Sequence, residues 1–302
     1  MSVNIHIEEN KELKNFTSWI VGGCADFYCA PRDLFELEKA LRFSFQNKVP
    51  LSVLGGGTNV LISDKGVRGL VVHTHKLNHV TVLKEDENFL IEALCGTPKS
   101  EVLKFFLKRK LAPAVFLAGL PGDVAGGVVM NAGVGHKVAP REFCEIVHSF
   151  DVITTDSLGE VKSQTYYRQS VHWHYRRSEN WQPGLISKVR LSWPNQPEES
   201  VLEQVREGNK RRKLTQPLQW PSCGSVFKNP DGDHAGRLIE ASGLKGFQMG
   251  GAQVSDKHAN FIINAGGATA TDIHLLMKHV ESQVHAKQGV SLTNEVIYLG
   301  DW

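Results

Sequence analysis

The spacing of apolar residues changes from segment to segment along this chain. From Asp33 to Asn47, Leu34, Leu37, Leu41 and Phe45 fall at helical intervals. One apolar face results, so a helix is predicted over 33–47, with Asp33 as its N-cap. LSVL (51–54) is a short apolar run and reads as a buried strand that passes directly into GGGTN (55–59). LISD and GLVVH continue as strand pieces, and FLIEAL (89–94) reads as another strand. A helix is predicted over 98–110, where Pro98 suits a first turn because it has no N–H to lose. Residues 145–155 and 185–193 read as strands. Residues 198–213, 234–242 and 271–288 read as helices, with Gly289 placed to end the last. NEVIYL (294–299) alternates as a final strand. Strands and helices intermix without a regular βαβ rhythm, which points to an α+β fold or an irregular α/β assembly.

A chain of 302 residues exceeds one ordinary core, so two or three domains are expected. WPNQPEE (193–199), with two prolines, marks the best boundary. Apolar residues make up 41% and charged residues 22%, as in ordinary globular proteins. The net charge of +2, from 34 basic and 32 acidic side chains, argues against a nucleic-acid-binding surface. No apolar run approaches the roughly 20 residues that span a bilayer, so no membrane insertion is expected. The N-terminal residues contain acids and lack a signal-peptide core, so a cytosolic location is expected. The five cysteines form no CxxC pair and are expected to be reduced thiols. His73 and His75, and His172 and His174, are spaced to share a strand face. No acidic or cysteine companion stands near them, and no metal site is expected. The basic run Lys210-Arg211-Arg212-Lys213 is either a solvated helix end or an anion site, and charge alone favours the first.

Two segments are rich in glycine. In VLGGGTNVLISDKGVRGLVV no helix follows the glycines, so this is not a GxGxxG dinucleotide fingerprint, and no Lys-Ser/Thr completes a Walker loop. If it binds phosphate, backbone N–H groups do so. The second segment, AGLPGDVAGGVVMNAGVG (118–135), alternates glycine with apolar residues, unlike a polar linker. Either segment alone is equally well a glycine-rich turn. Together they could enclose a long flat ligand such as a flavin dinucleotide, one cradling the pyrophosphate and the other lying along the ring.

Eight blocks make the pattern specific: VGGCADFY (21–28), LGGGTNVLISDKGVRGLVV (54–72), GLPGDVAGGVVMNAG (119–133), YRQS (167–170), QPLQWPSCGSVFKNP (216–230), AGRLIEASGLKG (235–246), GAQVSDKHANFIIN (251–264) and NEVIYLG (294–300). In this order, over nearly the whole chain, they resemble the UDP-N-acetylenolpyruvoylglucosamine reductase family, in its short form without an inserted tyrosine loop. The resemblance implies an α+β fold with an FAD-binding domain of the vanillyl-alcohol oxidase/p-cresol methylhydroxylase type. That two-lobed domain would span 14–193, with lobes of about 14–75 and 76–193. An α+β substrate-binding domain would span 198–302, its last strand either staying there or returning to the FAD-binding domain.

The resemblance further implies non-covalent FAD, NADPH as hydride donor, a UDP-sugar enolpyruvate as substrate and a bacterial cytoplasmic setting. An enol ether accepts hydride only if charge developing on its carboxylate is stabilised. Arg168 matches the family's catalytic arginine, whose guanidinium fork suits a carboxylate. Glu295 matches the catalytic glutamate, and Ser225 the proton donor. Ser225 also lacks the GxSxG elbow of a hydrolase nucleophile, since Phe227 stands where the second glycine would be. Lys213, Asn229 and Tyr167 match substrate-contacting positions, which moves the basic run toward a diphosphate contact. Gly55, Gly56, Gly57, Thr58 and Asn59 would form the pyrophosphate loop. Gly119, Pro121, Gly122, Gly126, Gly127 and Asn131 would form the second wall. Asp123 and Ala125 depart from the Thr or Ser and Gly usual there, and Gln253 stands where an acid is common. The rival reading is another FAD-dependent oxidoreductase of this fold, acting on an alcohol or sugar, though nothing in that chemistry needs GSVFKNP or NEVIYLG.

Overall fold

A computed structural model describes residues 5–135 and 139–302. The chain divides into two compact units, each with its own apolar core. One holds the described part of Met1–Glu8, with Tyr28–Gly56 and Gly69–Lys210; the other holds Glu9–Phe27, Gly57–Arg68 and Arg211–Trp302. This division differs from the expected split at 193–199. Residues 9–27 and 57–68 group with the C-terminal part, and the boundary falls inside a helix, between Lys210 and Arg211.

The first unit is built on a five-stranded antiparallel sheet. Its order is Val80–Glu85, Asn88–Leu94, Leu185–Pro194, Val147–Thr155, Val161–Tyr167. The inner strands carry Phe89, Ile91, Phe150, Val152, Val189 and Leu191 into a core completed by Phe106, Phe116 and Phe143. Arg190 crosses three strands, pairing with Asp151 at 2.8 Å and Glu92 at 2.9 Å. The predicted first helix is Leu34–Asn47; Asp33 caps it by accepting the Glu36 N–H at 2.8 Å. Leu51–Leu54 runs parallel to residues 70–73. Pro98 takes the cap position of helix Lys99–Lys108 rather than a place in its first turn.

The second unit packs helix Ala270–Gln288 and the shorter Ala235–Ala241 with the antiparallel strands Gln248–Met249, Ala252–Val254 and Ile262–Asn264. Trp19, fully buried, donates its indole N–H to the Ile262 carbonyl at 2.7 Å, tying the N-terminal segment to this core. Thr269 and Asp272 form a capping box on the long helix, and Gly289 ends it in the left-handed region. Ile297–Leu299 pairs parallel with Val60–Ile62, within the second unit. The final strand is thus shorter than the alternation over 294–299 predicts. Asn294 instead bridges to Phe227, and the Glu295 N–H bonds the Val226 carbonyl at 2.8 Å.

Candidate active site

The first glycine loop follows strand Leu51–Leu54, and the unit boundary falls between Gly56 and Gly57. On the first unit's side, the Gly56 N–H donates to the Asp123 carboxylate at 2.6 Å. A Cβ on Gly55 would lie 2.1 Å from that carboxylate, so only glycine admits this approach. His73 supports Gly55 by a backbone hydrogen bond, and its Nδ1 lies 2.8 Å from the Tyr28 hydroxyl. Burial, with help from His75, pushes His73 down to about 3, so it supports the loop as a neutral ring. On the second unit's side, Gly57 has φ +63°, and a Cβ there would meet the Phe16 carbonyl oxygen at 1.9 Å. The Cys223 thiol is buried and reaches toward the Gly57 and Val60 carbonyls at 3.8 and 3.6 Å. Burial raises it to about 12, so it is an inert packing thiol.

The second glycine segment contains a helix that sequence periodicity did not reveal. Val124–Val129 is capped by Asp123, which accepts the Gly126 N–H at 2.7 Å. Asp123 therefore holds the peptides of both glycine segments with one carboxylate. Beneath it, Lys99 is 3% exposed; its ammonium donates to the Pro121 carbonyl at 2.8 Å, and its own N–H bonds the Gly122 carbonyl at 2.9 Å. Burial lowers Lys99 to about 8, partly opposed by the Asp123 charge. Asn131, fully buried, accepts the Cys144 N–H and donates to Glu142 and to the His174 carbonyl. Its side chain is occupied in holding these loops, and its backbone N–H bonds the Val128 carbonyl at 3.1 Å.

Ser225 is half-buried in a segment held from two sides. The buried Asn260 clamps Phe227, accepting its N–H at 3.0 Å and donating to its carbonyl at 2.8 Å, while the Asn260 carbonyl accepts the Val226 N–H. On the other side, the Val226 carbonyl takes the Glu295 N–H, and Lys228 N–H bonds the Thr293 carbonyl at 2.8 Å. Asn59, from the first glycine loop, donates its amide to the Glu295 carbonyl at 3.0 Å. Asn59, Glu295 and the Ser225 segment are thus hydrogen-bonded neighbours inside one unit.

A cavity of about 400 Å³ opens at Ser225, lined also by Asn229, His234, Arg237, Lys257 and His258. Asn229 accepts the Ala235 N–H at 3.1 Å through Oδ1. Arg237 is paired with Asp233, whose carboxyl it holds down at about 2. Lys213 lies on the exposed end of helix Val201–Thr215, and the Lys257 ammonium bonds its carbonyl at 2.5 Å. The lining mixes amide, imidazole and cationic groups with the Glu240 carboxylate, so the cavity is polar and carries both signs of charge. Lys257, His258 and Asn260 belong to the block GAQVSDKHANFIIN (251–264), to which the sequence alone gives no site role. Their positions depend on the strand pairing of Ile262–Asn264, which is tertiary information.

Tyr167 and Arg168 belong to the first unit, at the end of strand Val161–Tyr167. Both side chains are exposed; Tyr167 lies edge-on to His148, and the Trp173 indole N–H bonds the Arg168 carbonyl at 2.9 Å. The Arg168 charge opposes the burial and Glu142 charge that raise Cys144 to about 11. Among the described residues no cluster of His, Cys, Asp or Glu could hold a metal ion, and no helix is long and apolar enough to cross a membrane. The residues present fit FAD: Gly56 is exposed, and the two glycine segments come to close backbone approach, where a Cβ on Gly56 would lie 3.0 Å from the Gly122 Cα.

Comparison with known proteins agrees. Residues 25–162 match the FAD binding domain family, and residues 216–299 match the UDP-N-acetylenolpyruvoylglucosamine reductase C-terminal domain family. The UDP-N-acetylenolpyruvoylglucosamine reductase of Moorella thermoacetica is 37% identical over 299 residues, covering 99% of this chain and 95% of its own. That of Desulforamulus reducens is 36% identical over 303 residues, covering 98% and 94%. The crystal structure of UDP-N-acetylenolpyruvylglucosamine reductase from Thermus caldophilus superposes with a TM-score of 0.78 at 29% identity, covering 98% of this chain and 99% of that one. The chain therefore belongs to the UDP-N-acetylenolpyruvoylglucosamine reductase family of FAD-dependent oxidoreductases.

Proposed function

We propose that this chain catalyses the NADPH-dependent reduction of UDP-N-acetylglucosamine enolpyruvate to UDP-N-acetylmuramate, in peptidoglycan precursor synthesis in a bacterial cytoplasm. Bound non-covalently, FAD supplies hydride transfer between the nicotinamide and the enolpyruvyl group. Gly55, Gly56, Gly57, Thr58 and Asn59 hold its pyrophosphate, and Gly119, Pro121, Gly122, Gly126, Gly127 and Asn131 form the second wall. Cofactor binding is assigned along 14–193 and substrate binding along 198–302.

The observation that carries this reading is the hydrogen-bonded array joining Asn59, Glu295 and the Ser225 segment beside a polar cavity. Arg168 receives the substrate carboxylate on its guanidinium fork and stabilises the charge that develops there. Glu295 helps rather than repels that charge when it carries or shares a proton. Ser225 gives its hydroxyl proton to the carbon bearing the carboxylate, a carbon basic enough after hydride addition to take it. Lys213 lies at the UDP portion, Asn229 contacts the substrate, and Tyr167 shapes the site.

The test is to purify the protein, record its visible spectrum, and follow NADPH consumption with and without UDP-N-acetylglucosamine enolpyruvate. A yellow protein whose sustained NADPH consumption requires that substrate supports the reading. A colourless protein, or NADPH consumption indifferent to the substrate, overturns it.

A further inference from the structure

We propose that Asp123 and Lys99 form a charge-balanced latch that sets the spacing of the two glycine segments for FAD. Asp123 acts as the positioning residue, and Lys99 as the internal cation that makes its carboxylate compatible with an anionic pyrophosphate. The proposal rests on the reading that Gly55–Gly57 holds that pyrophosphate.

Two features lead to it. Asp123 is 5% exposed and binds one peptide N–H from each segment, Gly56 at 2.6 Å and Gly126 at 2.7 Å. A serine or threonine there could accept these bonds without a charge. The carboxylate makes them charge-assisted and shorter, but adds a buried negative charge where an anionic ligand is to bind. Lys99 compensates from below: it is as deeply buried, its ammonium bonds the Pro121 carbonyl at 2.8 Å, and the Asp123 charge acts on it. Its Cε lies 2.9 Å from where a Gly127 Cβ would stand, so the glycine leaves room for the lysine stem beside Phe143. An apolar residue would pack here without the cost of burying a charge, and a neutral polar one could still reach the Pro121 carbonyl. What the lysine adds is its charge.

The experiment is FAD titration of the apoprotein, read by flavin fluorescence, with the melting temperature of each apoprotein as a control. Lys99→Met should weaken FAD binding at least tenfold at neutral pH, because Asp123 is then uncompensated. Lys99→Gln, which keeps a polar group near the Pro121 carbonyl, should weaken it similarly. Adding Asp123→Ser, whose uncharged hydroxyl oxygen can still accept these N–H bonds, to Lys99→Met should restore most of the loss, a rescue that a purely structural role for Lys99 would not give. Wild-type affinity in Lys99→Met or Lys99→Gln, or no rescue in the double variant, overturns the latch. Gly56→Ala, whose Cβ would meet the Gly122 Cα at 3.0 Å, separates this from the underlying reading. If Gly56→Ala binds FAD like wild type, the pyrophosphate assignment fails and the latch with it. If Gly56→Ala loses FAD but the Lys99 variants do not, the latch alone fails.

Discussion

Asn59 donates its side-chain amide to the Glu295 carbonyl at 3.0 Å, and its own carbonyl accepts the Ile297 N–H at 3.0 Å. One residue of the glycine loop thus fixes the backbone on both sides of Val296. The chain cannot move the loop without moving the glutamate.

Replacing Asn59 with Asp tests that relationship. The change is isosteric, but it sets a carboxylate against the Glu295 carbonyl where a donor stood. We expect a loss of about 1–3 kcal/mol of stability. Denaturant midpoints measure it, and an unchanged midpoint would show that the bond contributes nothing.

Asn260 makes two bonds to the backbone of Phe227, both buried. Asn260→Leu leaves that N–H and carbonyl unpaired in the core, and we expect it to destabilise by about 2–4 kcal/mol. The melting temperature should fall by well over 2 °C. A variant that melts like wild type would mean that Phe227 finds other partners.

Arg168 is exposed, so Arg168→Lys should leave the melting temperature unchanged. Lysine keeps the charge but not the planar fork. We expect turnover to fall about 10²-fold, the scale of a lost oxyanion contact, with NADPH-driven bleaching of the flavin intact. Full turnover in Arg168→Lys would remove the fork from the account.

Lys99 gives a pH dependence of stability. Folded, it releases its proton near pH 8; unfolded, it holds it to about pH 10.4. Between these values the unfolded chain binds more protons, so this residue's contribution to stability rises with pH. The wild type should gain stability relative to Lys99→Met as pH goes from 7 to 10. A stability difference that does not change with pH would place the Lys99 titration elsewhere.

Where a residue's role is set by its neighbours in sequence, it was readable in advance. Helix Leu34–Asn47 and its Asp33 cap follow from local spacing, and the glycine loops stood out by composition. Helix Val124–Val129 did not, because glycine and alanine carry no apolar period. Strand Val80–Glu85 was missed because its residues are mostly exposed and show no clean alternation. NEVIYL was read as one strand from its alternation. Its first two residues are claimed by Phe227 and Val226, partners almost 70 positions away. The same limit hid Lys99, which looks like a surface lysine until the second glycine segment and Phe143 pack against it. Asp123 was visible only as a departure from the family pattern; its meaning needed the distance to Gly56.

The central claim is that Ser225 protonates the substrate, and an anaerobic rapid-mixing experiment on Ser225→Ala tests it most directly. NADPH should bleach the flavin absorbance of the variant at the wild-type rate. Added UDP-N-acetylglucosamine enolpyruvate should then restore that absorbance about 10²- to 10⁴-fold more slowly than in wild type, the range for a lost general acid. Restoration at the wild-type rate would contradict the assignment.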